Sequence, residues 1–510
     1  MHETVLILDF GSQYTQLIAR RVREEQVYCK IVPSSITADE IRQEGARALI
    51  LSGGPNSTLG KNAPRIDAAI FDLDIPILGI CYGLQLMALH FGGKVVPGTS
   101  REYGPANVVH HADHVLMEHV AQESSVWMSH GDHVGEPPPG FQVVARSRDD
   151  LIAAVAHDSR PFVGVQFHPE VNHTVEGKTI LANFLFRMAG FSRDWTPSSF
   201  VDDSIRAIRE QVGDRKVILG LSGGVDSSVL AFLLHQAIGE RCIPVFINNG
   251  LLRANEANEV MDQFSASHIK VYRHDYSERF LNALEGITDP ETKRKTIGRI
   301  FIEAFEEVAQ AYTDLDFLAQ GTLYPDVIES GGVTGHAATI KSHHNVGGLP
   351  ERMSLKVLEP FRLLFKDEVR AVGRILDVPA PIIGRHPFPG PGLAVRCLGP
   401  ITRERLDILR AVDRIFINAL HASDWYDRIW QAFAVLLPLQ TVGVMGDQRT
   451  YENVVALRAV HSTDGMTADW VRLPQDILAD VSRQIVNGVP GVNRVVYDVT
   501  SKPPGTIEWE

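Results

Sequence analysis

The stretch IPILGICYGLQLMALHF, residues 75–91, decides the first part of the fold. It begins as a short apolar run typical of a buried strand and continues with apolar residues at helical spacing. Gly79 and Gly83 stand two residues before and after Cys81, and small residues there permit a sharp strand-to-helix turn. The stretch therefore predicts an open α/β sheet. Its Cys81 thiol would lie at the carboxyl edge, where the helix dipole favours a thiolate.

A cysteine nucleophile needs a base and a group that orients the base. The run QFHPE, residues 166–170, ends another predicted strand and can present His168 and Glu170 on one face. The run SGGP, residues 52–55, ends a third strand, and its glycines can turn backbone N–H groups towards an oxyanion. The alternatives are a small buried cysteine, a surface turn and a plain glycine turn. Their combination in one α/β unit favours catalysis.

The second chemical pattern is SGGVDSS, residues 222–228, which follows the predicted strand KVILGL and opens a helix. Successive backbone N–H groups at a helix N-terminus bind anions, so the pattern predicts a phosphate site. It is not a Walker A loop, because no lysine precedes the final serine, and GxGxxG is also absent. Asp226 inside the loop suits Mg²⁺. The alternative is a glycine-rich N-cap turn with Asp226 as a helix-favouring acid.

Strands and helices alternate along the chain in two blocks. A linker with Pro and Ser at residues 191–199 separates the blocks, and the Pro- and Gly-rich run at 386–392 begins a third region. We expect an α/β protein with two doubly wound, mostly parallel-sheet domains, followed by a small α+β domain. The predicted domains are residues 1–192, 196–385 and 386–510.

Composition excludes several classes of protein. The 510 residues carry 49 Lys and Arg against 62 Asp and Glu, and the net charge of −13 argues against nucleic acid as a partner. Hydrophobic residues at 44% and charged residues at 22% exclude a disordered or fibrous chain. The four cysteines lack CxxC spacing, and the sequence shows neither a signal peptide nor an apolar run of about 20 residues. We therefore predict a cytoplasmic protein with no membrane partner.

Over about residues 3–190 the chain resembles the class I glutamine amidotransferases, because it combines the patterns G-x-C-x-G-x-Q and HPE with an upstream SGGP. Such domains hydrolyse glutamine to glutamate and ammonia. The resemblance implies Cys81 as nucleophile, His168 as base and acid, and Glu170 as the group that orients it. It also assigns Gly54 and Tyr82 to an oxyanion hole, and Gln85 and Asp132 to the glutamine site.

The SGGVDSS loop resembles the signature of the ATP pyrophosphatases, which adenylate a substrate oxygen and release pyrophosphate. The resemblance implies ATP as substrate with Mg²⁺ on Asp226. Relatives commonly have Asp where Asn248 stands, so the polar contact at that strand end differs here. The implied ATP and pyrophosphate contacts are Ser222, Gly223, Gly224, Val225, Asp226, Ser227, Ser228, Arg253 and Lys341.

The two modules in this order resemble the glutamine-hydrolysing GMP synthetase family. Four further runs extend the resemblance over the whole chain: QGTLYPDVIES at 320–330, KSHHNVGGLP at 341–350, RHPFPGPG at 385–392 and KPPGTIEWE at 502–510. The family implies xanthosine monophosphate (XMP) as acceptor and a homodimer formed by the third domain. It assigns the XMP contacts to Asp326, Arg385, Lys502, Thr506, Ile507 and Glu508.

The predicted reaction uses glutamine, XMP and ATP, with ammonia passing between the two sites shielded from water. The rival enzymes are a tRNA thiolase, which would need a reactive cysteine in the second domain, and an NAD synthetase. A non-catalytic sensor of glutamine or nucleotide is the alternative outside catalysis, although a sensor needs no nucleophile. A frayed terminus is the alternative for the tail, where apolar Ile507 and Trp509 favour a docked segment.

Overall fold

A computed structural model gives the structure of this chain. It describes residues 2–61, 63–111, 113–329, 355–445, 448–462, 465 and 467–510. The described residues form two compact units. The first holds residues 2–200 and 325–329, and the second holds residues 201–324 and 355–510.

One nine-stranded sheet forms the centre of the first unit. Its strands are β1 (Thr4–Asp9), β2 (Tyr28–Pro33), β3 (Ala46–Leu51), β4 (Ile77–Ile80), β5 (Lys94–His110), β6 (Glu123–Glu136), β7 (Phe141–Ser147), β8 (Ile152–His157) and β9 (Phe162–Val165). The order is β2-β1-β3-β4-β9-β8-β7-β5-β6, parallel from β2 to β9 and antiparallel beyond. The strands predicted before SGGP, at the start of the 75–91 stretch and before QFHPE are confirmed as β3, β4 and β9.

Helices cover the parallel half of this sheet, whose strands are apolar because both faces are buried. Helix α3 is itself buried nearly all round, so Leu84, Met87 and Ala88 have no exposed surface. The other main helix, α1, buries one face, which includes the apolar residues Ile18, Ala19 and Val22. The helices of the unit are α1 (Thr15–Glu24), α2 (Ala38–Gln43), α3 (Tyr82–His90) and α4 (Gly177–Ala182), which continues into a π-helical turn at Asn183–Met188.

The predicted linker at residues 191–199 is wrong in part, because helix α5 (Pro197–Val212) begins inside it. Proline suits the first helical position. The start is fixed by Thr196 and Ser199, whose hydroxyls each accept from the other's backbone N–H at 3.1 Å. Trp195 is buried beneath the Arg23 guanidinium, 4.5 Å from its ring. The linker is therefore short and docked on the first unit.

The second unit contains a fully parallel five-stranded sheet in the order β12-β11-β10-β13-β14, made of β10 (Lys216–Gly220), β11 (Cys242–Asn248), β12 (Tyr272–Asp275), β13 (Leu315–Ala319) and β14 (Lys356–Leu358). The chain reverses its direction of travel across the sheet between β10 and β13, where open sheets bind ligands. The helices are α6 (Val225–Ile238), α7 (Glu256–Ala266), α8 (Ser277–Leu284), α9 (Pro290–Gln310), α11 (Lys366–Ile375) and α12 (Ala380–Ile383), while α10 (Tyr324–Glu329) belongs to the first unit from residue 325 onward.

A second sheet in this unit is a long hairpin with two added strands. It comprises β15 (Gln431–Met445), β16 (Gln448–Ser462), β17 (Ala468–Trp470) and β18 (Val492–Tyr497), with helices α13 (Arg403–Ala422) and α14 (Gln475–Gly488). These helices and strands agree with the α+β character expected for the third region. Ile218 and Val455 of the two sheets share one hydrophobic core, so the division into three domains stays a prediction. Across the described ranges, no helix is long and apolar enough to cross a membrane.

A fully buried arginine on β16 holds the end of the chain. Arg458 donates to the carbonyl oxygens of Thr500, Thr506 and Ile507 at 2.8–3.0 Å. It also lies 2.8 Å from the Asp498 carboxylate. A buried guanidinium is tolerated only when its donors are satisfied, so the tail and the arginine stabilise each other.

Two further buried cations act in the same way. Arg396 pairs with the Glu508 carboxylate at 2.8 Å, and Lys293 lies 2.6 Å from Glu510 Oε2. Both cationic side chains are fully buried, and Ile507 is 9% exposed. The prediction of a docked tail is therefore confirmed.

We expect Arg458→Met to release the tail and to destabilise the second unit by about 3 kcal/mol, because it leaves Asp498 and buried carbonyl groups without their donor. Thermal melting and limited proteolysis of the tail measure both effects. Arg472→Met is the matched control, since Arg472 is 68% exposed in its pair with Asp469 and should change stability by less than about 0.5 kcal/mol. A tail as resistant to protease as in the unaltered chain would contradict this assignment.

Candidate active site

The chain turns sharply between β4 and α3, and Cys81 occupies the turn. Its φ of 51° and ψ of −101° are strained for a residue with a side chain. Close backbone approach requires the flanking glycines: a β-carbon at Gly83 would lie 2.4 Å from the Leu51 carbonyl oxygen, and one at Gly79 2.7 Å from the Leu84 nitrogen. The turn has the predicted shape, although the Cys81 thiol is buried, with 4% exposure.

His168 and Glu170 follow β9 and form a buried pair. His168 Nδ1 lies 2.7 Å from Glu170 Oε1, and the side chains are 3% and 0% exposed. Because the carboxylate accepts this bond, Nδ1 carries the proton and Nε2 is left for the cysteine. Thr174 fixes the segment, since its hydroxyl donates to the His168 carbonyl at 2.6 Å and accepts from the Trp127 N–H at 3.0 Å.

The two histidines near the thiol have opposite electrostatic character. Burial is the largest influence on the pKa of His168 and lowers it, but the Glu170 carboxylate and the Cys81 side chain together raise that pKa well above its ordinary value. Burial, with His133 and His168 nearby, lowers the pKa of His130 to about 4. The site therefore favours an imidazolium at His168 and a neutral imidazole at His130.

The predicted oxyanion residues are brought together at the start of α3. The Gly83 N–H donates to the Ser52 carbonyl at 3.1 Å, which joins the SGGP turn to the helix. A β-carbon at Gly54 would lie 3.1 Å from Tyr82 Cγ. Neither the Gly54 nor the Tyr82 backbone N–H donates a hydrogen bond within the described part of the chain. Two adjacent unused donors beside a nucleophile have the character of an oxyanion hole.

Gln85 and Asp132 also meet, but they differ in what they offer a ligand. Gln85 Nε2 donates to the Asp132 backbone carbonyl at 2.7 Å, and its Oε1 accepts from Thr58 at 3.5 Å. Gln85 thus holds the backbone of the Asp132 segment. The Asp132 carboxylate is contacted by the Ser57 hydroxyl, a neutral partner that a substrate ammonium group can replace.

The SGGVDSS loop lies between β10 and α6 and is braced by its own hydroxyl groups. The Ser222 hydroxyl accepts from the Gly224 N–H at 3.2 Å, and the Ser227 hydroxyl accepts from the Ser222 N–H at 3.2 Å. Gly223 has a φ of +77°, which a glycine adopts without strain. The Ser228 N–H donates to the Gly224 carbonyl at 3.1 Å and begins the helix. This is an anion cradle at a helix N-terminus.

Asp226 has an unused carboxylate oxygen. Its Oδ2 lies 3.4 Å from Lys366 Nζ, while Oδ1 is buried and has no hydrogen-bond partner among the described residues. A buried oxygen of this kind suits a cation. The described ranges hold no cluster of three or more His, Cys, Asp or Glu for a metal. The residues present therefore fit Mg²⁺ bound by one carboxylate together with nucleotide phosphates.

The two other predicted ATP contacts differ from expectation or cannot be placed. Arg253 Nε lies 3.2 Å from the Asp413 carboxylate, and its Nη2 donates to the Ala432 carbonyl at 3.2 Å. Burial lowers the pKa of Arg253, but Asp413 and Glu256 more than offset this and raise it. The Arg253 guanidinium thus links β11 to α13 and β15. Lys341 lies outside the described residues.

The predicted XMP contacts are dispersed. Arg385 Nη1 donates to the Gly223 carbonyl of the phosphate loop at 2.7 Å, so this residue lies beside the cradle. Asp326 lies half-buried in the first turn of α10. Lys502 Nζ donates to the Gly465 carbonyl at 2.8 Å. The remaining three belong to the docked tail, namely Thr506, Ile507 and Glu508.

Sequence reasoning missed two residues at these sites. Gln166 Nε2 lies 3.7 Å from Cys81 Sγ, and Lys366 faces Asp226. A glutamine at the end of an apolar strand, two residues before His168, was an available signal. Lys366 also gave a signal. A lysine at the first position of a helix is unfavourable for the helix dipole, so its presence there indicates a role other than helix stability.

Three family models match the chain. That of glutamine amidotransferase class-I matches residues 6–188, that of NAD synthase matches residues 199–296, and that of the GMP synthase C terminal domain matches residues 418–509. Among solved structures, a glutamine amidotransferase from Thermotoga maritima is 20% identical over 37% of this chain and 99% of its own, with a TM-score of 0.31.

Curated relatives match along the full length. GMP synthase (glutamine-hydrolyzing) of Nitratidesulfovibrio vulgaris, strain Miyazaki F, is 55% identical over 99% of each chain. The protein of the same name from Symbiobacterium thermophilum is 55% identical over 100% of this chain and 99% of its own. At this identity and coverage, the chain belongs to the family of glutamine-hydrolysing GMP synthases.

Proposed function

We propose that this chain makes GMP from XMP with glutamine as nitrogen donor and ATP as activating substrate, releasing glutamate, AMP and pyrophosphate. The observation that carries the proposal is the pairing, in one chain of this family, of a buried Cys81–His168–Glu170 site with an SGGVDSS cradle. The first test is to supply the purified chain with XMP, Mg²⁺-ATP and ammonium chloride. GMP and AMP should form in equal amounts, and the absence of GMP would contradict the proposal.

In the glutaminase half, the Cys81 thiolate attacks the carboxamide carbon of glutamine. The oxyanion that forms is stabilised by the N–H groups of Gly54 and Tyr82. His168 protonates the departing nitrogen, and ammonia leaves behind a glutamyl thioester, which water hydrolyses after His168 takes a proton from it. Glu170 keeps the imidazolium in place. The raised pKa of His168 supports this acid role.

Asp132 completes this half as the contact for the substrate ammonium group. Its carboxylate has only the Ser57 hydroxyl as a described side-chain partner, so the partner is readily exchanged. Gln85 acts through Asp132, because its carboxamide bonds the Asp132 backbone carbonyl at 2.7 Å. We assign Gln85 the role of positioning the glutamine site.

In the synthetase half, the backbone N–H groups that the 222–228 loop does not use internally bind the ATP phosphates. Mg²⁺, when bound at Asp226, would neutralise the charge of the pyrophosphate. The XMP C2 oxygen displaces pyrophosphate from the α-phosphorus, and ammonia then displaces AMP from C2. Lys366 supplies a second positive charge 3.4 Å from Asp226. Arg253 and Lys341 stay predictions for ATP binding, although Arg253 is engaged with Asp413.

We assign the XMP site to Arg385 and the residues predicted with it. Arg385 donates to the Gly223 carbonyl of the phosphate loop, which puts a guanidinium beside the site of adenylation and suits a nucleotide phosphate. Lys502 offers a second cation on a segment that pairs with β17. Asp326, Thr506, Ile507 and Glu508 are carried over from the family resemblance.

A second copy of this chain is the proposed partner of the β15–β16 hairpin. Val442 and Tyr451 are paired across the two strands and are 44% and 60% exposed, and Val444 on the same face is 77% exposed. Such an apolar face is typical of an interface, and a two-fold axis would cover it with its own copy. The cytoplasm is the proposed location, because none of the four cysteines, all of them described, forms a disulfide, as expected in a reducing compartment.

Cys81→Ala should abolish synthesis driven by glutamine, a loss of at least about 10³-fold, because the covalent route disappears. Synthesis driven by ammonium chloride should stay within about twofold of the unaltered chain, since the SGGVDSS site does not use the thiol. Chromatography of GMP under the two nitrogen sources measures both. Cys242→Ala is the matched control, because burial raises the pKa of that thiol to about 12 and leaves it inert. Loss of both activities in Cys81→Ala would contradict two separate sites.

Asp226→Asn should lower ammonia-driven synthesis by at least about 100-fold and raise the Mg²⁺ concentration needed for half-maximal rate, because the free carboxylate oxygen is lost. Glutamine hydrolysis should persist. A Mg²⁺ titration of AMP formation measures the change. Asp214→Asn is the control at a fully exposed carboxylate, and it should match the unaltered chain. An unchanged Mg²⁺ dependence in Asp226→Asn would remove Asp226 from the metal site.

Val444→Asp should convert a dimer into single chains, because burying a carboxylate in the apolar interface is unfavourable. Light scattering at micromolar concentration gives the mass. Val175→Asp, at a residue of the first unit that is 71% exposed, should remain dimeric. A mass of one chain for the unaltered protein would refute the dimer, and a dimeric Val444→Asp would place the interface elsewhere.

A further inference from the structure

Gln166 is a buried polar side chain next to the nucleophile. Its side chain is 1% exposed, and its backbone N–H donates to the Ala153 carbonyl at 2.8 Å, which fixes it to β8. The Cys81 N–H donates to the neighbouring Val165 carbonyl at 2.8 Å. These bonds hold the backbone at residue 166 against the turn, and the carboxamide Nε2 lies 3.7 Å from Cys81 Sγ.

The sulfur has few donors around it. The Ser129 carbonyl lies 3.9 Å from Cys81 Sγ and can only accept a hydrogen bond. The His168 side chain also forms a hydrogen bond with the Cys81 side chain. Among the described residues in hydrogen-bond range, Gln166 and His168 are thus the groups able to donate to a thiolate.

The other end of the same carboxamide is unused. Gln166 Oε1 is buried and has no hydrogen-bond partner among the described residues. A buried acceptor without a partner calls for a specific reason, such as a catalytic role or a bound molecule. The opposite orientation of the amide would bury two unpaired N–H groups and place an oxygen against the thiolate, which is less favourable. The recorded orientation therefore turns Nε2 towards the sulfur and leaves Oε1 as the unused acceptor of the same carboxamide.

We propose that Gln166 is a further catalytic residue of glutamine hydrolysis. Its Nε2 donates to the Cys81 thiolate, and its Oε1 accepts a hydrogen bond from the amide nitrogen of glutamine. The inference rests on the proposed function of the Cys81 site and adds a residue that contacts both the nucleophile and the leaving group.

The bond changes define what Gln166 does. The sulfur lone pair forms the C–S bond, and the carbonyl π electrons move to the oxygen. When the intermediate collapses, the C–N electron pair goes to nitrogen, which takes the proton from His168 and leaves as ammonia. Gln166 Oε1 holds an N–H of that nitrogen so that its lone pair faces His168. Gln166 itself neither gains nor loses a proton.

The test measures the thiolate separately from catalysis. The variants are Gln166→Met, which keeps the length and removes the amide, and Gln166→Glu, which keeps an acceptor oxygen and removes the donor. Gln142→Met on β7 is the matched control at an exposed glutamine. Alkylation of Cys81 by iodoacetamide, located by peptide mass mapping, is followed between about pH 5 and 9. Glutaminase kcat and KM are measured over the same range, and ammonia-driven synthesis reports folding.

For Gln166→Met we expect the alkylation midpoint to rise by about one pH unit and kcat to fall about 10–100-fold, with ammonia-driven synthesis unchanged. For Gln166→Glu we expect a larger rise, because a carboxylate repels the thiolate. An alkylation midpoint and kcat equal to those of the unaltered chain in Gln166→Met would overturn the inference. Should Gln166→Met fail to fold, an unshifted midpoint in Gln166→Glu would overturn it instead.

The two proposals fail in different ways. An unaltered chain that hydrolyses no glutamine would overturn the proposed function and, with it, the contact to the amide nitrogen. Normal hydrolysis by the unaltered chain together with unchanged Gln166 variants would overturn this inference alone.

Discussion

The first unit depends on one close approach, between the backbone at Gly83 and the carboxyl end of β3. A β-carbon there would lie 2.4 Å from the Leu51 carbonyl oxygen, so α3 can start at this point only with glycine. The same turn holds Cys81 at a φ of 51°, a strain of about 1–3 kcal/mol. Burial of Leu84 and Met87 offsets it, at about 1.5–3 kcal/mol for each side chain. The sheet thus fixes the thiol and the Tyr82 N–H together.

The second unit depends on buried charge. Arg458, Arg396 and Lys293 are fully buried, and removing such groups from water is costly unless their charge is paired. Their acceptors lie largely in the last residues of the chain, on a segment that includes Glu508 and Glu510. Neither partner is satisfied alone, so the docking of the tail is coupled to the packing of α9 and β16. This explains how a short segment without regular structure holds a defined position.

Local patterns account for what the sequence could predict. The strands, the turn at Cys81 and the pairing of His168 with Glu170 are short-range features, and their residues are close in the chain. The contact of Arg253 could not be predicted in this way. Its carboxylate partner, Asp413, is 160 positions away, and no sequence pattern at either residue indicates the ion pair. The early start of α5 depended on the reciprocal bonds of Thr196 with Ser199, which periodicity does not reveal. The site roles taken from the family remain predictions.

Buried polar atoms without hydrogen-bond partners indicate what each site can bind, without reference to the family. Gln166 Oε1 and Asp226 Oδ1 each lack a partner among the described residues, although such an atom costs about 1–3 kcal/mol. The two atoms differ in chemistry. An amide oxygen without charge suits an N–H donor, whereas a carboxylate oxygen beside a phosphate cradle suits a cation. Under the proposed roles, the first atom would accept from an amide nitrogen and the second would bind a metal-bound nucleotide.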